Sequence, residues 1–127
     1  MSDFSNDFEI YSDALRLGEV VWNSVIKWDY SGKDLIGTKL VHAVDRLIAI
    51  IAEARNSSDY PEIRRSRRAA CSCIAEAAFW LGAAERQKSI SRKDARLLNV
   101  ELESLHHRLS THIKPPGPKT DPPASSK

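Results

Sequence analysis

The 127-residue chain contains two cysteines, and no apolar run in it approaches the roughly 18 to 20 residues that a membrane-spanning helix needs. Cys71 and Cys73 lie two positions apart and would point to different faces of a helix, which excludes a disulfide-stapled fold and a four-ligand zinc site. The acidic N-terminal segment has neither the basic nor the apolar region of a secretory signal. We therefore expect a cytoplasmic protein whose two cysteines act as small apolar residues.

Proline is scarce until the C-terminal segment, which holds five of the six prolines. Residues 115–127 contain these prolines and no large apolar side chain, so we predict a disordered tail there. Residues 1–114 then form one domain. Polar, turn-forming stretches at 29–34, 56–59 and 87–90 divide this domain into four segments of helical length.

Strand alternation and hairpin signals are absent from the sequence, and the connections between the helical segments are short. These features predict an all-α fold, an antiparallel up-down-up-down four-helix bundle. Its first helix should end near Trp28, its second should begin after Ser31 or Asp34, and Ser91 should cap the fourth. The predicted core stripes are Ile10, Ala14, Leu17, Val21, Val25 and Trp28 on the first helix, Leu40, Ala43, Val44, Leu47, Ile51 and Ala54 on the second, and Leu98, Leu102, Leu105 and Leu109 on the fourth.

The third helix, predicted over residues 61–87, is apolar on more than one side. Its predicted core stripe is Ile63, Ser66, Ala70, Cys73, Ala77, Leu81 and Ala84. The opposite face is also small or apolar, and Glu76 is the single charged residue between Ala69 and Ala84. A helix that is apolar all round is normally buried all round, and a bundle of this size cannot bury both faces of one helix. We therefore predict a subunit interface on the second face, formed by Cys71, Ser72, Ala75, Ala78, Phe79 and Gly82.

Basic residues are concentrated in the second half of the chain. Residues 1–62 carry a net charge of −5, whereas residues 63–114 carry +6. We predict a phosphate-binding surface on this half, without strong sequence preference, formed by Arg64, Arg65, Arg67, Arg68, Arg86, Lys88, Arg92, Lys93 and Arg96. The alternative is that these residues pair with the acidic first half, within or between subunits.

Carboxylates and histidines form no complete catalytic or metal-binding set in the sequence. Glu103 and His106 have the Glu-x-x-His spacing of di-iron bundles, but the second copy that such a site requires is missing. Glu53 and Glu76 have neither a nucleophile nor a glycine-rich phosphate loop to act with. We therefore predict no enzymatic activity, no cofactor and no metal, and we interpret Glu76 as a hydrogen-bond acceptor at a bundle contact.

Two stretches, IGTKLVHAVDRLIAIIAEAR at 36–55 and AACSCIAEAAFWL at 69–81, resemble a bacterial four-helix bundle family. This family includes the proteins encoded in 23S rRNA intervening sequences and the accessory variability proteins of diversity-generating retroelements. The matching motifs place Glu53 after Ile51-Ala52 and Glu76 four residues after Ser72, whereas Arg46 stands where serine is usual. The resemblance implies a homopentamer without known enzymatic activity, and retroelement members bind nucleic acid and a reverse transcriptase.

Two hypotheses follow for this chain. The first is a homo-oligomer, expected to be a pentamer, that binds RNA or another nucleic acid through its basic surface, as an accessory to a reverse transcriptase or in connection with rRNA. The second is a structural or adaptor oligomer that binds a protein partner and uses its arginines for assembly.

Overall fold

In a computed structural model the described part of the chain is residues 2–113, with the side chains of residues 2–7, 31, 112 and 113 left aside. The predicted tail at 115–127 lies outside the described residues. Four long helices account for most of the fold: α1 (Ser2–Val25), α2 (Thr38–Arg55), α3 (Tyr60–Arg86) and α4 (Arg92–Ile113).

The four helices form a bundle in which each helix packs against the next, and α4 returns to pack against α1. The helices alternate in direction because the connections between them are short. Residues 2–113 contain no strand. The prediction of an all-α, four-helix bundle is confirmed.

The core consists of the apolar stripes that the helical period predicts. The five predicted stripe residues of α1, Trp28 just beyond its end and all four leucines of α4 are buried, and Ala54 is the one member of the α2 stripe that is half-buried. In α3 the stripe is buried from Ala70 to Ala84, whereas Ile63 and Ser66, near the start of this helix, are half-buried. The periodicity therefore identified the inner face of every helix.

The connection between α1 and α2 differs from the prediction. The α1 helix ends at Val25 rather than Trp28, and the segment predicted as a turn is already helical from Tyr30. It contains a helical turn, Tyr30–Gly32, followed by a π-helical turn, Lys33–Gly37, that runs directly into α2. Asp29 starts this segment because its side-chain oxygen accepts a hydrogen bond from the backbone amide of Gly32 at 3.0 Å.

The two ends of the α3–α4 connection are held by specific caps. The Ser91 hydroxyl accepts a hydrogen bond from the backbone amide of Asp94 at 3.1 Å, which confirms the predicted cap of α4. At the end of α3, Lys88 has a φ of 63°, and the amide of Ser89 donates to the carbonyl of Ala84 at 2.9 Å. This left-handed residue turns the chain back toward α4. None of the helices in the described part of the chain has the length and apolarity of a membrane span.

Candidate functional site

The arginines at the start of α3 do not share one environment. Arg65 and Arg68 are exposed, Arg64 is half-buried with its guanidinium 5.3 Å from the ring centroid of Tyr60, and Arg67 is 7% exposed. At 100° per residue the four arginines cover about 160° of the helix, and Arg67 lies at the edge of this arc that is nearest the buried Ala70. Arg65 and Arg68 therefore form the exposed part of this cluster.

The burial of Arg67 removes this residue from the predicted binding surface. Its side chain enters a small cavity of about 20 Å³ at the end of the bundle, which is lined by residues of α1, α2 and α4 as well as α3. Arg67 lies three positions before Ala70, on the inner side of α3, where the apolar stripe continues. It therefore belongs to the interior of the bundle and cannot contact a polyanion on the surface.

A second basic group lies at the opposite end of the bundle, around the α3–α4 connection. All five of its predicted members are exposed: Arg86, Lys88, Arg92, Lys93 and Arg96. Arg68 and Arg86 are 18 positions apart on α3, which corresponds to about 27 Å along the helix axis. The predicted basic surface is therefore divided into two groups, which we name the α3-start group (Arg65 and Arg68) and the connection group (Arg86, Lys88, Arg92, Lys93 and Arg96).

Most exposed cations of the two groups have no carboxylate partner within residues 2–113. Arg92 is the exception, with its Nε 3.7 Å from a carboxylate oxygen of Glu85 in the same half of the chain. In the acidic first half, Asp13 forms ion pairs with Arg16 at 2.9 Å and with Arg108 at 2.8 Å. Neither of these arginines belongs to the two groups. Within one subunit, the described residues therefore do not pair the cations of the two groups with the acidic first half of the chain, which was the alternative interpretation.

The two glutamates of the resembling motifs are both exposed. A carboxylate oxygen of Glu76 lies 3.8 Å from Nη1 of Arg46 on α2. This ion pair joins α2 to α3, and at 3.8 Å it is longer than the hydrogen bond that we predicted for Glu76. Arg46, one of the residues that depart from the resembling pattern together with Ile50 and Ala54, is therefore the partner of one of its glutamates. Glu53 is on α2, seven positions beyond Arg46.

Glu103 and His106 lie beside one another along a groove between α3 and α4, which His107 and Ser110 also line. Within the residues described, no three histidine, cysteine, aspartate or glutamate side chains lie close enough together to hold a metal ion. Cys73 is buried and Cys71 half-buried, both as free thiols. Burial raises the pKa of both thiols, although the nearby charge of Arg67 works against this for Cys71.

The residues predicted as a subunit interface are exposed to different degrees. Ser72, Ala75 and Phe79 are exposed, with 59% of Phe79 accessible. Cys71, Ala78 and Gly82 are half-buried, and the first two pack against the core at the edge of α3 that faces α4. The outward face of α3, which we define as Ser72, Ala75, Phe79 and Gly82, is therefore lined by small residues around one large ring.

A second apolar surface, on α1, escaped the sequence reasoning. Phe8, Leu15 and Trp22 are exposed by 58%, 43% and 55%, and Ile26 by 45%. The first three are spaced by seven residues, so they form a line on the side of α1 opposite much of its core stripe. The signal was present in that spacing, but Arg16 and Glu19 between these residues make the segment look like an ordinary solvated face. We call these four residues the outward face of α1, although Ile26 directly follows the last residue of that helix.

The side chain of Arg55 contacts two aromatic rings in the N-terminal half of α1. The guanidinium of Arg55, the last residue of α2, lies 4.6 Å from the ring centroid of Tyr11 and 5.8 Å from that of Phe8. Such cation–π contacts at exposed sites contribute on the order of 0.5–1 kcal/mol. They hold the end of α2 against the start of the outward face of α1.

No protein-family model and no curated protein matches the chain. Among solved structures, the chain is similar to a Bacteroides thetaiotaomicron protein of unknown function from the S23 ribosomal protein family, with a TM-score of 0.78. The two sequences are 16% identical, and the match covers 85% of this chain and 97% of that one. The match shows the fold. It agrees with the four-helix architecture that the resemblance implied, and membership of the family stays a prediction.

Proposed function

We propose that this protein is a non-enzymatic homo-oligomer, expected to be a pentamer, that binds nucleic acid through the α3-start group and the connection group. The observation that carries this proposal is the exposure of arginines without carboxylate partners, Arg65, Arg68, Arg86 and Arg96 among them, within the described chain. Exposed guanidiniums that are not neutralised within the subunit are free to replace the counterions of a phosphate backbone.

The spacing of the two groups limits the shape of the ligand. A ligand that touches both groups on one subunit must span about 27 Å, because α3 is one continuous helix between them. In a duplex this distance corresponds to roughly eight base pairs at 3.4 Å each. We therefore expect weak binding of nucleotides and short oligomers, and much stronger binding of extended nucleic acids to an assembled oligomer.

RNA is the ligand that we favour, because both the resemblance and the name of the S23 structural neighbour point toward the ribosome. An accessory role beside a reverse transcriptase is the narrower form of the proposal. It predicts direct binding of that enzyme as well as of nucleic acid, which co-purification of the two proteins would test. An equal-length competition between structured RNA and duplex DNA would test the preference for RNA.

The decisive experiment measures binding of a labelled 30-nucleotide RNA hairpin at several salt concentrations. The Arg65→Gln/Arg68→Gln variant should bind more weakly, and the slope of log affinity against log salt should fall by about two for each subunit in contact, since each lost phosphate contact lowers it by roughly one. The matched control is Arg16→Gln/Lys39→Gln, which removes the same charge at exposed positions on α1 and α2 outside both groups. Equal losses in both variants would show that net charge alone matters and would overturn the assignment of the site.

The second candidate function is a structural or adaptor oligomer that binds another protein. It is favoured by the exposed outward face of α1, since large apolar patches on soluble proteins mark interaction surfaces. In that case the arginine variant should keep its oligomeric mass and lose its protein partner, as measured by sedimentation and co-purification.

A further inference from the structure

We infer that the end of the bundle that carries the connection group binds an unpaired RNA nucleotide, whose base stacks on the ring of Tyr30. This inference rests on the nucleic-acid binding in the proposed function and adds which part of the ligand is recognised at this end. The supporting observations are the exposure of the Tyr30 ring, the firm attachment of the segment that carries it, and the different charges of the two connections that meet there.

Tyr30 carries the most exposed ring in the described part of the chain. It is 77% exposed, more than any other large apolar residue there. The ring of Tyr11 is covered by the guanidinium of Arg55 at 4.6 Å, and the ring of Tyr60 has a similar contact at 5.3 Å with Arg64. Among the side chains that the structure describes, no cation or second ring covers Tyr30 in this way. Its ring is therefore accessible to a planar ligand.

The segment that carries Tyr30 is held firmly on the bundle. Asp29 caps it through the backbone amide of Gly32. A Cβ at Gly32 would collide with Oγ of Ser89, so the α1–α2 connection lies directly against the α3–α4 connection. At the start of the segment, Trp28 is buried in the core. A fixed support thus presents the ring to solvent, and little backbone freedom is lost when a ligand stacks on it.

The two connections differ in charge. Residues 85–96, which include the α3–α4 connection, carry five cations and two carboxylates, a net charge of +3. Residues 27–34, which include the start of the α1–α2 connection, carry two lysines and two aspartates, a net charge of zero. Tyr30 is two positions from Gly32, at the contact between the connections. Lys88 is next to Ser89 on the other side of that contact. A neutral segment with a ring therefore adjoins a basic segment, which suits a base and its phosphate.

A groove beside this contact supplies hydrogen-bond partners for the same nucleotide. It has a volume of about 520 Å³, lies between the end of α1 and the start of α4, and is otherwise walled by apolar side chains. Its two charged residues, Lys27 and Asp94, have opposite signs. Its uncharged polar side chains are Asn23, Ser24, Ser89 and Ser91. An apolar groove of this size with a few hydroxyl and amide groups suits a base and its sugar better than a phosphate.

The base must be unpaired to make this contact. In a duplex each base is stacked between its neighbours, so a protein ring reaches only the bases of loops, bulges and single-stranded ends. Stacking on an aromatic ring tolerates every base, which agrees with the expected lack of strong sequence preference. This end of the bundle should therefore favour RNA with unpaired nucleotides over a continuous duplex.

The test compares two labelled RNAs with equal numbers of phosphates, a hairpin with an unpaired loop and a blunt duplex. Tyr30→Leu should weaken hairpin binding by about 5- to 150-fold, which is the scale of one stacked base, and should leave duplex binding unchanged. Tyr30→Phe keeps the ring and should bind the hairpin as the wild type does. The slope of log affinity against log salt should be the same in both variants, because no phosphate contact is lost.

Leu35→Ala is the matched control. Leu35 is 69% exposed in the same connection and has no ring, so this variant should keep the wild-type affinity for both RNAs. The exposure of both positions means that all three variants should fold. Equal losses in Leu35→Ala and Tyr30→Leu would show a general apolar contact and would overturn the stacking.

The remaining outcomes separate this inference from the proposed function. An equal loss of hairpin and duplex binding in Tyr30→Leu overturns the contact with an unpaired base. A changed sedimentation mass of that variant assigns the ring to a contact between subunits and also overturns it. If the wild type binds both RNAs and Tyr30→Leu binds them equally well, the inference fails and the nucleic-acid proposal stands. A wild type that binds neither RNA contradicts both.

Discussion

The outward faces of α1 and α3 differ in a way that the inner faces of the same helices do not. Both inner faces carry a regular apolar stripe that is buried in the bundle. Outside, α1 presents large side chains between which Arg16 and Glu19 lie, and α3 presents small side chains with arginines at both ends. Folding of the subunit explains the inner faces and leaves the outer ones unexplained. The oligomer that we propose would give these outer faces a role, since exposed apolar surfaces are typical of interaction sites.

The sharpest way to test this contrast is to truncate one leucine on each side of α1. Leu17 is 3% exposed and Leu15 is 43% exposed. Leu17→Ala should lower the free energy of unfolding by about 2–5 kcal/mol because it leaves a cavity in the core. Leu15→Ala should change the unfolding of the dissociated subunit by less than about 1 kcal/mol and weaken self-association instead. Urea unfolding and sedimentation measure the two effects, and a large loss of subunit stability in Leu15→Ala would contradict the assignment of that face.

The contrast between the inside of the subunit and its outward faces can also be tested at two glycines, the buried Gly37 and Gly82 on the outward face of α3. A Cβ at Gly37 would lie 2.5 Å from Cγ1 of Val25 and 3.4 Å from Cε3 of Trp28, so Gly37→Ala should destabilise the subunit by about 1–3 kcal/mol. At Gly82 the nearest atom to a Cβ would be Nη1 of Arg86 at 3.5 Å. Gly82→Ala should therefore stabilise the dissociated subunit by about 0.5–1 kcal/mol. The added methyl group should weaken the oligomer if the α3 face packs against a neighbour, and an oligomer of unchanged affinity argues against that packing.

Asp13 should give the pH dependence of the α1–α4 contact. Burial raises its pKa, but hydrogen bonds and charge from Arg108 and Arg16 outweigh this, so that its pKa lies below the usual value. The stabilisation is complete above the unfolded-state pKa of about 3.9 and is lost as the pH falls through the lower pKa of the folded protein. Asp13→Asn should cost about 0.5–1.5 kcal/mol at pH 7, and this cost should shrink as the pH falls below about 3.9, as measured by chemical unfolding. A similar cost for Asp45→Asn, at an exposed carboxylate, would contradict the specific role of Asp13.

The smallest expected effect is at the end of α3. Lys88 adopts a left-handed conformation with a φ of 63°, which a side chain disfavours and glycine accepts freely. Lys88→Gly should raise the unfolding free energy by up to about 1 kcal/mol. Gln87→Gly, at a φ of −81°, should lower it, and thermal unfolding of the two variants should move in opposite directions. Because Lys88 also belongs to the connection group, its loss should reduce the salt slope of RNA binding by about one.

Much of the fold was predictable, whereas the candidate sites were predictable only in outline. The periods of Ile10 to Trp28 and of the α4 leucines identified the buried faces because burial of one stripe is a local property of a helix. The same reasoning placed Arg67 on the surface, since it counted arginines rather than the angle at which each one leaves the helix. It also missed the outward face of α1, where charged residues interrupt the apolar spacing.

The amino-acid sequence by itself determined that this chain forms four helices, which side of each is buried and which half of the chain is basic, because propensity, spacing and charge are properties of neighbouring residues. Only the tertiary structure decided that the basic residues form two groups at opposite ends of the bundle, that Glu76 contacts Arg46, and that the α1–α2 connection is helical. Those features depend on where separate helices cross, and the crossing is set by packing between residues that are far apart in the chain.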